Sequence, residues 1–150
     1  MRYLLDSDSL SDLYEPESPG HRNIAGRVVA LAKTDSVVVS IVALFEMEYG
    51  YARAPEKMKL LLRQRISAVQ ADSPILPLTL EAARLFGSLK VRLQVLRQLS
   101  PKASKAHNID LMTAATAITE GCTLVSADGI YSDLRRIDHT LRIENWLATA

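Results

Sequence analysis

The chain has 150 residues, of which 48% are hydrophobic and 23% are charged, and its formal net charge at pH 7 is +1. This balance predicts one folded domain over residues 1–150 and excludes an intrinsically disordered chain. No apolar run approaches the ~20 residues of a membrane span. A net charge so close to zero provides no overall attraction to nucleic acid or to a membrane surface.

The numbers and positions of cysteine and histidine residues indicate a cellular compartment and exclude one kind of metal site. A single cysteine, Cys122, excludes an internal disulfide framework and is typical of a reducing cytoplasm, which is the compartment we expect. The N-terminal run MRYLLD becomes acidic too soon to resemble a secretory signal. The three histidines are scattered without the spacing of zinc ligands, so no zinc site is expected.

Short apolar strands alternate with helices along the predicted chain. The predicted strands are residues 3–5, 37–39, 75–76, 123–125 and 141–143. The predicted helices are residues 9–14, 23–33, the segment between Ser40 and Pro55, 56–69, 79–99 and the segment between Asn108 and Gly121. In the helix at 79–99, Phe86, Leu89, Leu93 and Leu96 are expected to face inwards. A polar linker is expected at 100–107, and a loop is expected between Asp128 and the last strand. This alternation predicts an α/β fold with a mainly parallel sheet of four to five short strands and right-handed crossovers.

Residues 108–128, NIDLMTAATAITEGCTLVSAD, hold two acids that this fold brings together. Asn108 is expected to cap the helix, and Gly121 is expected to end it. About 11 helical residues rise roughly 16 Å at ~1.5 Å each, and the following strand returns over about the same distance at ~3.3 Å per residue. If the two elements pack antiparallel, Asp110 and Asp128 lie at the carboxyl edge of the sheet, where open α/β sheets place their ligands.

The ends of the other strands add acids to the same edge. Asp6 and Asp8 follow the first strand, and Glu46 lies in the helix that follows the second. Carboxylates a few ångströms apart without a basic partner raise one another's pKa and destabilise the fold. A divalent cation removes that cost, and all-oxygen ligation selects Mg²⁺ or Mn²⁺ rather than zinc.

Residue types alone leave a second enzyme class open. The chain has no Gly-rich phosphate loop and no G-x-S-x-G nucleophile elbow. The D-S-D run at residues 6–8 resembles the nucleophile and acid of haloacid-dehalogenase-like phosphohydrolases, with Asp128 and Asp133 as the late acidic pair of that class. In such an enzyme, Glu46 and Asp110 would have no role.

Four segments together resemble one family. They are YLLDSDSLSDL near the N-terminus, SIVALFEMEYG with Glu46 and Gly50, IDLMTAATAITEGCTLVSAD, and LRIENW near the C-terminus. In this order and at this spacing they resemble the PIN domain, specifically the VapC-type toxin ribonucleases of bacterial toxin–antitoxin pairs. The resemblance covers nearly the whole chain and implies a three-layer α/β/α PIN-like fold.

The resemblance implies an active site and a reaction. By position, Asp6, Glu46, Asp110 and Asp128 correspond to the acidic set of the family, with Asp6, Asp110 and Asp128 as ligands of Mg²⁺ or Mn²⁺ and Glu46 either ligating or orienting the attacking water. Ser126 stands where the family has Thr or Ser beside the site. The implied reaction is metal-assisted hydrolysis of an RNA phosphodiester that leaves a 5′-phosphate and a 3′-hydroxyl.

The chain departs from the family pattern at two acids. Asp8 stands where Asn is common, which adds a negative charge beside Asp6. Gly-Ile-Tyr-Ser-Asp follows Asp128 in place of a prompt Asp-Phe, so Asp133 competes with Asp128 for the role of fourth acid.

The resemblance also implies partners. They are an RNA substrate, a small antitoxin protein encoded beside this gene, and a second copy of the chain in a homodimer. The antitoxin is expected to dock a helix in a groove among the helices at 23–33 and 43–69. A PIN-type module that binds protein or RNA without cleaving it is a further alternative.

A local excess of positive charge precedes residue 108. The cations there are Arg84, Lys90, Arg92, Arg97, Lys102 and Lys105. This stripe either guides an RNA backbone or is an ordinary solvated helix face.

Overall fold

The computed structural model describes residues 1–148 and alternates strands with helices, as the sequence predicts. The strands are β1 (Arg2–Leu5), β2 (Ser36–Ser40), β3 (Ile75–Leu76), β4 (Thr123–Val125) and β5 (Arg142–Glu144). The helices are α1 (Ser7–Tyr14), α2 (His21–Val29), α3 (Ile41–Arg53), α4 (Glu56–Asp72), α5 (Leu80–Arg97), α6 (Pro101–Ser104), α7 (Asn108–Thr119) and α8 (Ile130–Ile137), with a 3₁₀ turn at Lys105–His107. Within residues 1–148, no helix is both long and apolar enough to cross a bilayer.

The strands pair in parallel in the order β3-β2-β1-β4-β5, which confirms the predicted α/β class and the mainly parallel sheet. Strand β1 is central, so Leu4 lies beside Val38 on one side and beside Leu124 on the other. The ladder continues past the end of β1, where the Asp6 amide donates to the Val125 carbonyl at 3.1 Å. The carboxyl ends of β1, β2 and β4 therefore meet at one edge of the sheet.

Helices cover both faces of the sheet and give the expected three-layer α/β/α arrangement. Because side chains alternate between the faces of a strand, Leu4 and Leu124 pack into a core with α5, α7 and α8. Their neighbours Leu5 and Val125 pack into a second core with α1, α2, α3 and α4. Trp146 closes that second core and is only 3% exposed.

The segment that precedes α7 differs from the predicted linker at 100–107. The segment expected to be an irregular linker is helical, because α6 and the 3₁₀ turn lead directly into α7. His107 occupies the N-cap position of α7 and makes no capping hydrogen bond through its side chain. Asn108 is already in the helix, and its Oδ1 accepts a hydrogen bond from Lys90 Nζ at 2.7 Å. The expectation that Asn108 caps the helix was therefore wrong, whereas Gly121 ends it with the predicted left-handed backbone at φ +67°.

Two other local expectations need correction. Helix α1 begins at Ser7, two residues earlier than predicted, because the Asp6 side chain caps it. In α5, Leu89 and Leu93 are fully buried, but Leu96 is 37% exposed. Periodicity identifies the apolar face of a helix but does not show where the helix extends past the elements that cover it.

Candidate active site

Asp6 connects the end of β1 to the start of α1. Its Oδ1 accepts from the Ser9 amide at 2.8 Å, and its Oδ2 accepts from Ser126 Oγ at 2.5 Å. Only 8% of the residue is exposed. Burial raises the pKa of the Asp6 carboxyl, the bonds from Ser126 and Ser9 lower it, and the charge of Asp8 raises it further. Asp6 is thus a buried carboxyl without a cation beside it among the described residues.

Asp110 reaches the same edge from the first turn of α7, where the helix dipole favours a carboxylate. Burial raises its pKa, and the charge of Asp128 raises it further, while His107 and Tyr131 lower it. His107 Nδ1 lies 3.7 Å from Asp110 Oδ2, and the Tyr131 hydroxyl donates to Asp110 Oδ1 at 3.4 Å. The two oxygens of Asp110 therefore face different partners.

Asp128 follows β4 in a turn that Ser126 organises. The Ser126 hydroxyl accepts from the Asp128 amide at 3.0 Å while it donates to Asp6. The Asp128 Oδ1 accepts from the Ile130 amide at 3.0 Å, which begins α8. One buried serine thus holds the ends of β1 and β4 together, and Asp128 is close enough to Asp110 to raise the pKa of that carboxyl. Asp128 thus lies near Asp110 and is linked to Asp6 through Ser126, whereas the assignment of these three residues as metal ligands stays a prediction.

Glu46 is exposed on α3 and approaches this group from another side. Its Oε1 accepts a hydrogen bond from the hydroxyl of Ser7, the residue that follows Asp6. Glu46 lines a groove of about 370 Å³ between α1, α3 and α4, whereas Asp6 and Asp128 line a separate cavity of about 220 Å³. Asp8 lines both spaces. Glu46 therefore reaches the residue after Asp6 through Ser7, but it does not share a cavity with Asp6 or Asp128.

Asp133, the other candidate for the fourth acid, forms ion pairs with two arginines. Its Oδ2 lies 2.6 Å from Arg97 Nε on α5, and its Oδ1 lies 3.9 Å from Arg136 Nη1. A carboxylate compensated by two guanidinium groups has little need of a metal ion. The described geometry therefore favours Asp128 over Asp133 as the acid that accompanies Asp110.

Tyr131 is the residue that sequence reasoning missed. It is 2% exposed, and its ring belongs to the core beneath α5, α7 and α8. Burial raises the pKa of its phenol, and the charges of Asp110, Asp6 and Asp128 raise it further. The prediction of a loop after Asp128 was wrong, because Ile130–Ile137 form α8. Tyr131 is the second residue of that helix, and no local pattern identified its side chain as part of the site.

The ligand atoms that the three aspartates offer are of the type that a hard divalent cation prefers. Asp6, Asp110 and Asp128 offer carboxylate oxygens, and within residues 1–148 the ion pairs include neither Asp6 nor Asp128. In that same part of the chain, no three acidic, histidine or cysteine side chains already stand close enough to form a complete ligand set. The three carboxylates share one region, and ligation would require them to draw closer together.

The basic stripe before α7 is largely occupied by contacts within the chain. Lys90 binds Asn108, Arg92 Nη1 donates to the Ile137 carbonyl at 2.9 Å, and Arg97 pairs with Asp133. These contacts favour a structural role for the middle of the stripe over the alternative of an RNA path.

Comparison with known proteins places the chain in a family. Residues 3–138 match the PIN domain. The chain is 25% identical over 116 residues to Ribonuclease VapC2 of Rickettsia felis, an alignment that covers 77% of this chain and 78% of that protein. Its fold matches VapBC2 from Rickettsia felis bound to a promoter DNA fragment, with a TM-score of 0.77, 22% identity and coverage of 97% of this chain and 99% of that one. It also matches VapBC-1 from nontypeable Haemophilus influenzae, with a TM-score of 0.76, 20% identity and coverage of 99% and 100%. The chain therefore belongs to the PIN-domain family.

Proposed function

We propose that this chain is a Mg²⁺- or Mn²⁺-dependent endoribonuclease and the toxin of a type II toxin–antitoxin pair. The observation that carries the proposal is the meeting of Asp6, Asp110 and Asp128 at the carboxyl edge of a PIN-family sheet, where two of them lack an ion-pair partner among residues 1–148. The relative named Ribonuclease VapC2 supports the same activity. The phosphohydrolase alternative receives no such support, since it leaves Asp110 without a role.

Each residue has a defined task in this proposal. Asp6, Asp110 and Asp128 would hold the ion, which when bound supplies Lewis-acid polarisation of a phosphoryl oxygen and lowers the pKa of an attacking water. Ser126 holds Asp6 in place through its hydroxyl. Glu46, whose carboxylate accepts a hydrogen bond from Ser7, would orient the attacking water.

The direct test is cleavage of end-labelled single-stranded RNA by the purified chain, freed of any antitoxin. We expect cleavage with Mn²⁺ or Mg²⁺, none with excess chelator, and recovery when metal is restored. The new ends should be a 5′-phosphate and a 3′-hydroxyl. RNA binding that does not depend on metal, with no cleavage under any condition, would instead identify a non-catalytic PIN-type module. Hydrolysis of a small phosphomonoester without RNA cleavage would revive the phosphohydrolase alternative.

We also propose that a small antitoxin occupies the groove between α1, α3 and α4, which is lined by α1 and not by the helix expected at 23–33. The solved structures with this fold include VapBC assemblies, and the groove offers Met47, Leu62 and Ile66 for an amphipathic helix. Its wall carries charges of both signs, because Arg53 and Arg65 lie there together with Asp8, Glu15 and Glu46. A homodimer and a cytoplasmic location remain parts of the same proposal.

Co-expression with any short reading frame that adjoins this gene tests the antitoxin proposal. We expect a co-purifying complex that does not cleave RNA and that Leu62→Asp disrupts. The exposed Leu80 of α5, which is 82% exposed and lies outside the groove, provides the control, since Leu80→Asp should leave the complex intact. A complex unaffected by Leu62→Asp would place the antitoxin on another surface.

A further inference from the structure

We propose that Tyr131 is a positioning residue that fixes Asp110 relative to Asp128 and so sets the spacing of two ligands of the divalent ion. The proposal rests on the proposed function, because it concerns the same site. It adds a neutral hydroxyl, which the resemblance does not assign, to the acidic set.

The ring of Tyr131 is a rigid support for its hydroxyl. It is 2% exposed and packs in the core with Leu111 and Leu134, both fully buried. A core side chain of this size has little freedom to change rotamer. The hydroxyl that lies 3.4 Å from Asp110 Oδ1 is therefore held by packing rather than by the site itself.

The same residue is tied to Asp128 through the backbone. The Tyr131 amide donates to the Asp128 carbonyl at 3.4 Å, and the next amide back, that of Ile130, donates to Asp128 Oδ1 at 3.0 Å. The turn that carries Asp128 thus continues directly into the residue whose side chain reaches Asp110. Tyr131 consequently links α7 to the β4–α8 turn across the site.

A neutral donor suits this position. Asp110 and Asp128 are both carboxylates, and like charges that lie close together repel each other. A hydroxyl directed at one oxygen of Asp110 stabilises the charged carboxylate and limits its rotation, while His107 faces the other oxygen at 3.7 Å. Groups that hydrogen-bond metal-binding carboxylates in this way orient the ligands, and their loss typically costs about 10–100-fold in metal affinity or activity.

The test is Tyr131→Phe, which removes the hydroxyl and keeps the ring. At a temperature where both proteins are fully folded by circular dichroism, calorimetric titration with Mn²⁺ alone should give a Kd at least about tenfold higher for the variant than for the wild type. RNA cleavage should lose kcat at fixed low metal, with KM for RNA within about twofold, and excess Mn²⁺ should restore part of kcat. A role in stability alone would not change the Mn²⁺ Kd of the folded protein.

The matched control is Tyr3→Phe, which removes a phenol hydroxyl from β1. The Tyr3 ring lies 5.2 Å from Trp146 in the other core, so its Mn²⁺ Kd should equal that of the wild type. A second measurement needs no variant at the site. Titrating the Tyr3→Phe protein with Mn²⁺ should perturb the tyrosine absorbance and saturate together with the heat signal.

The results of these experiments distinguish the positioning role of Tyr131 from the proposed nuclease function. Wild-type binding of Mn²⁺ with an unchanged Kd in Tyr131→Phe, or a tyrosine spectrum that Mn²⁺ leaves unperturbed, would overturn the positioning role and leave the nuclease proposal standing. A wild-type chain that neither binds Mn²⁺ nor cleaves RNA would overturn the proposed function, and the positioning role with it.

Discussion

Asp110→Asn should abolish metal-dependent RNA cleavage while leaving the protein folded. The substitution keeps the shape of the side chain and its hydrogen bond to Tyr131, but it removes a charge that the proposed ion requires. Metal ligation supplies several kcal/mol of transition-state stabilisation. A loss of kcat/KM of about 10³-fold or more, equal to ~4 kcal/mol, is therefore expected in the RNA cleavage assay.

The same substitution should make the metal-free protein more stable at neutral pH. The folded pKa of Asp110 is raised by burial and by Asp128, so the folded state binds this proton more tightly than the unfolded chain does. Its contribution to the free energy of unfolding is present below the unfolded pKa and is lost as pH rises through the folded pKa. The stability advantage of Asp110→Asn should therefore be absent in acid and grow towards neutral pH, by roughly 2–4 °C in Tm for each ~1 kcal/mol.

Adding Mn²⁺ or Mg²⁺ should make the wild type more stable than Asp110→Asn. A divalent ion that binds only the folded wild type raises its Tm by mass action, whereas Asp110→Asn should respond weakly. Asp138→Asn is the matched control, because Asp138 lies after α8 and its side chain accepts hydrogen bonds from Thr140. It should cleave RNA at the wild-type rate. Cleavage by Asp110→Asn within about tenfold of wild type would contradict the nuclease mechanism proposed for this site.

Substitution of Asp128 should also cause a large loss of cleavage, and comparison with Asp133 should show which of the two is the fourth acid. Asp128→Asn removes a charge beside Asp110 but keeps the oxygen that accepts from the Ile130 amide, so α8 should still begin normally. We expect cleavage to fall by at least about 10²-fold, or ~2.7 kcal/mol, and the Mn²⁺ Kd to rise. Both quantities are measured by cleavage kinetics over a metal titration.

Asp133→Asn should behave in the opposite way. It breaks the contacts with Arg97 and Arg136, and partly exposed ion pairs of this kind contribute about 0.2–1 kcal/mol. The variant should therefore lose a little stability in urea and retain cleavage within about twofold of wild type. An inactive Asp133→Asn beside an active Asp128→Asn would reverse the assignment.

Much of the fold was predictable because its causes are local. Three consecutive valines at 37–39 predict a strand buried on both faces, and β2 includes all three. Each predicted strand appears within one residue of its expected bounds, since apolar runs between turn residues need no knowledge of distant partners. The parallel arrangement follows from the alternation of strands and helices, and it brings the ends of β1 and β4 to one edge.

Asp6, Asp110 and Asp128 were accessible from the sequence for the same reason. Two of them follow central strands, and the third begins the helix that leads into one of those strands. The matched lengths of α7 and β4 predict that Asp110 and Asp128 share that edge if the two elements pack antiparallel. The sequence alone therefore determined the order of the elements and the edge of the sheet that the acids approach, and the family resemblance implied the three layers.

Only the tertiary structure decided which polar groups pair. Asn108 has the chemistry of a cap, but Lys90 on α5 reaches it, and the preceding segment is already helical. Asp133 looked equivalent to Asp128 until Arg97 was found beside it. The Tyr131 hydroxyl reaches Asp110 from 21 residues away in sequence. Such pairings depend on where helices from distant parts of the chain cross, which is set by packing in the cores and leaves no local pattern in the sequence.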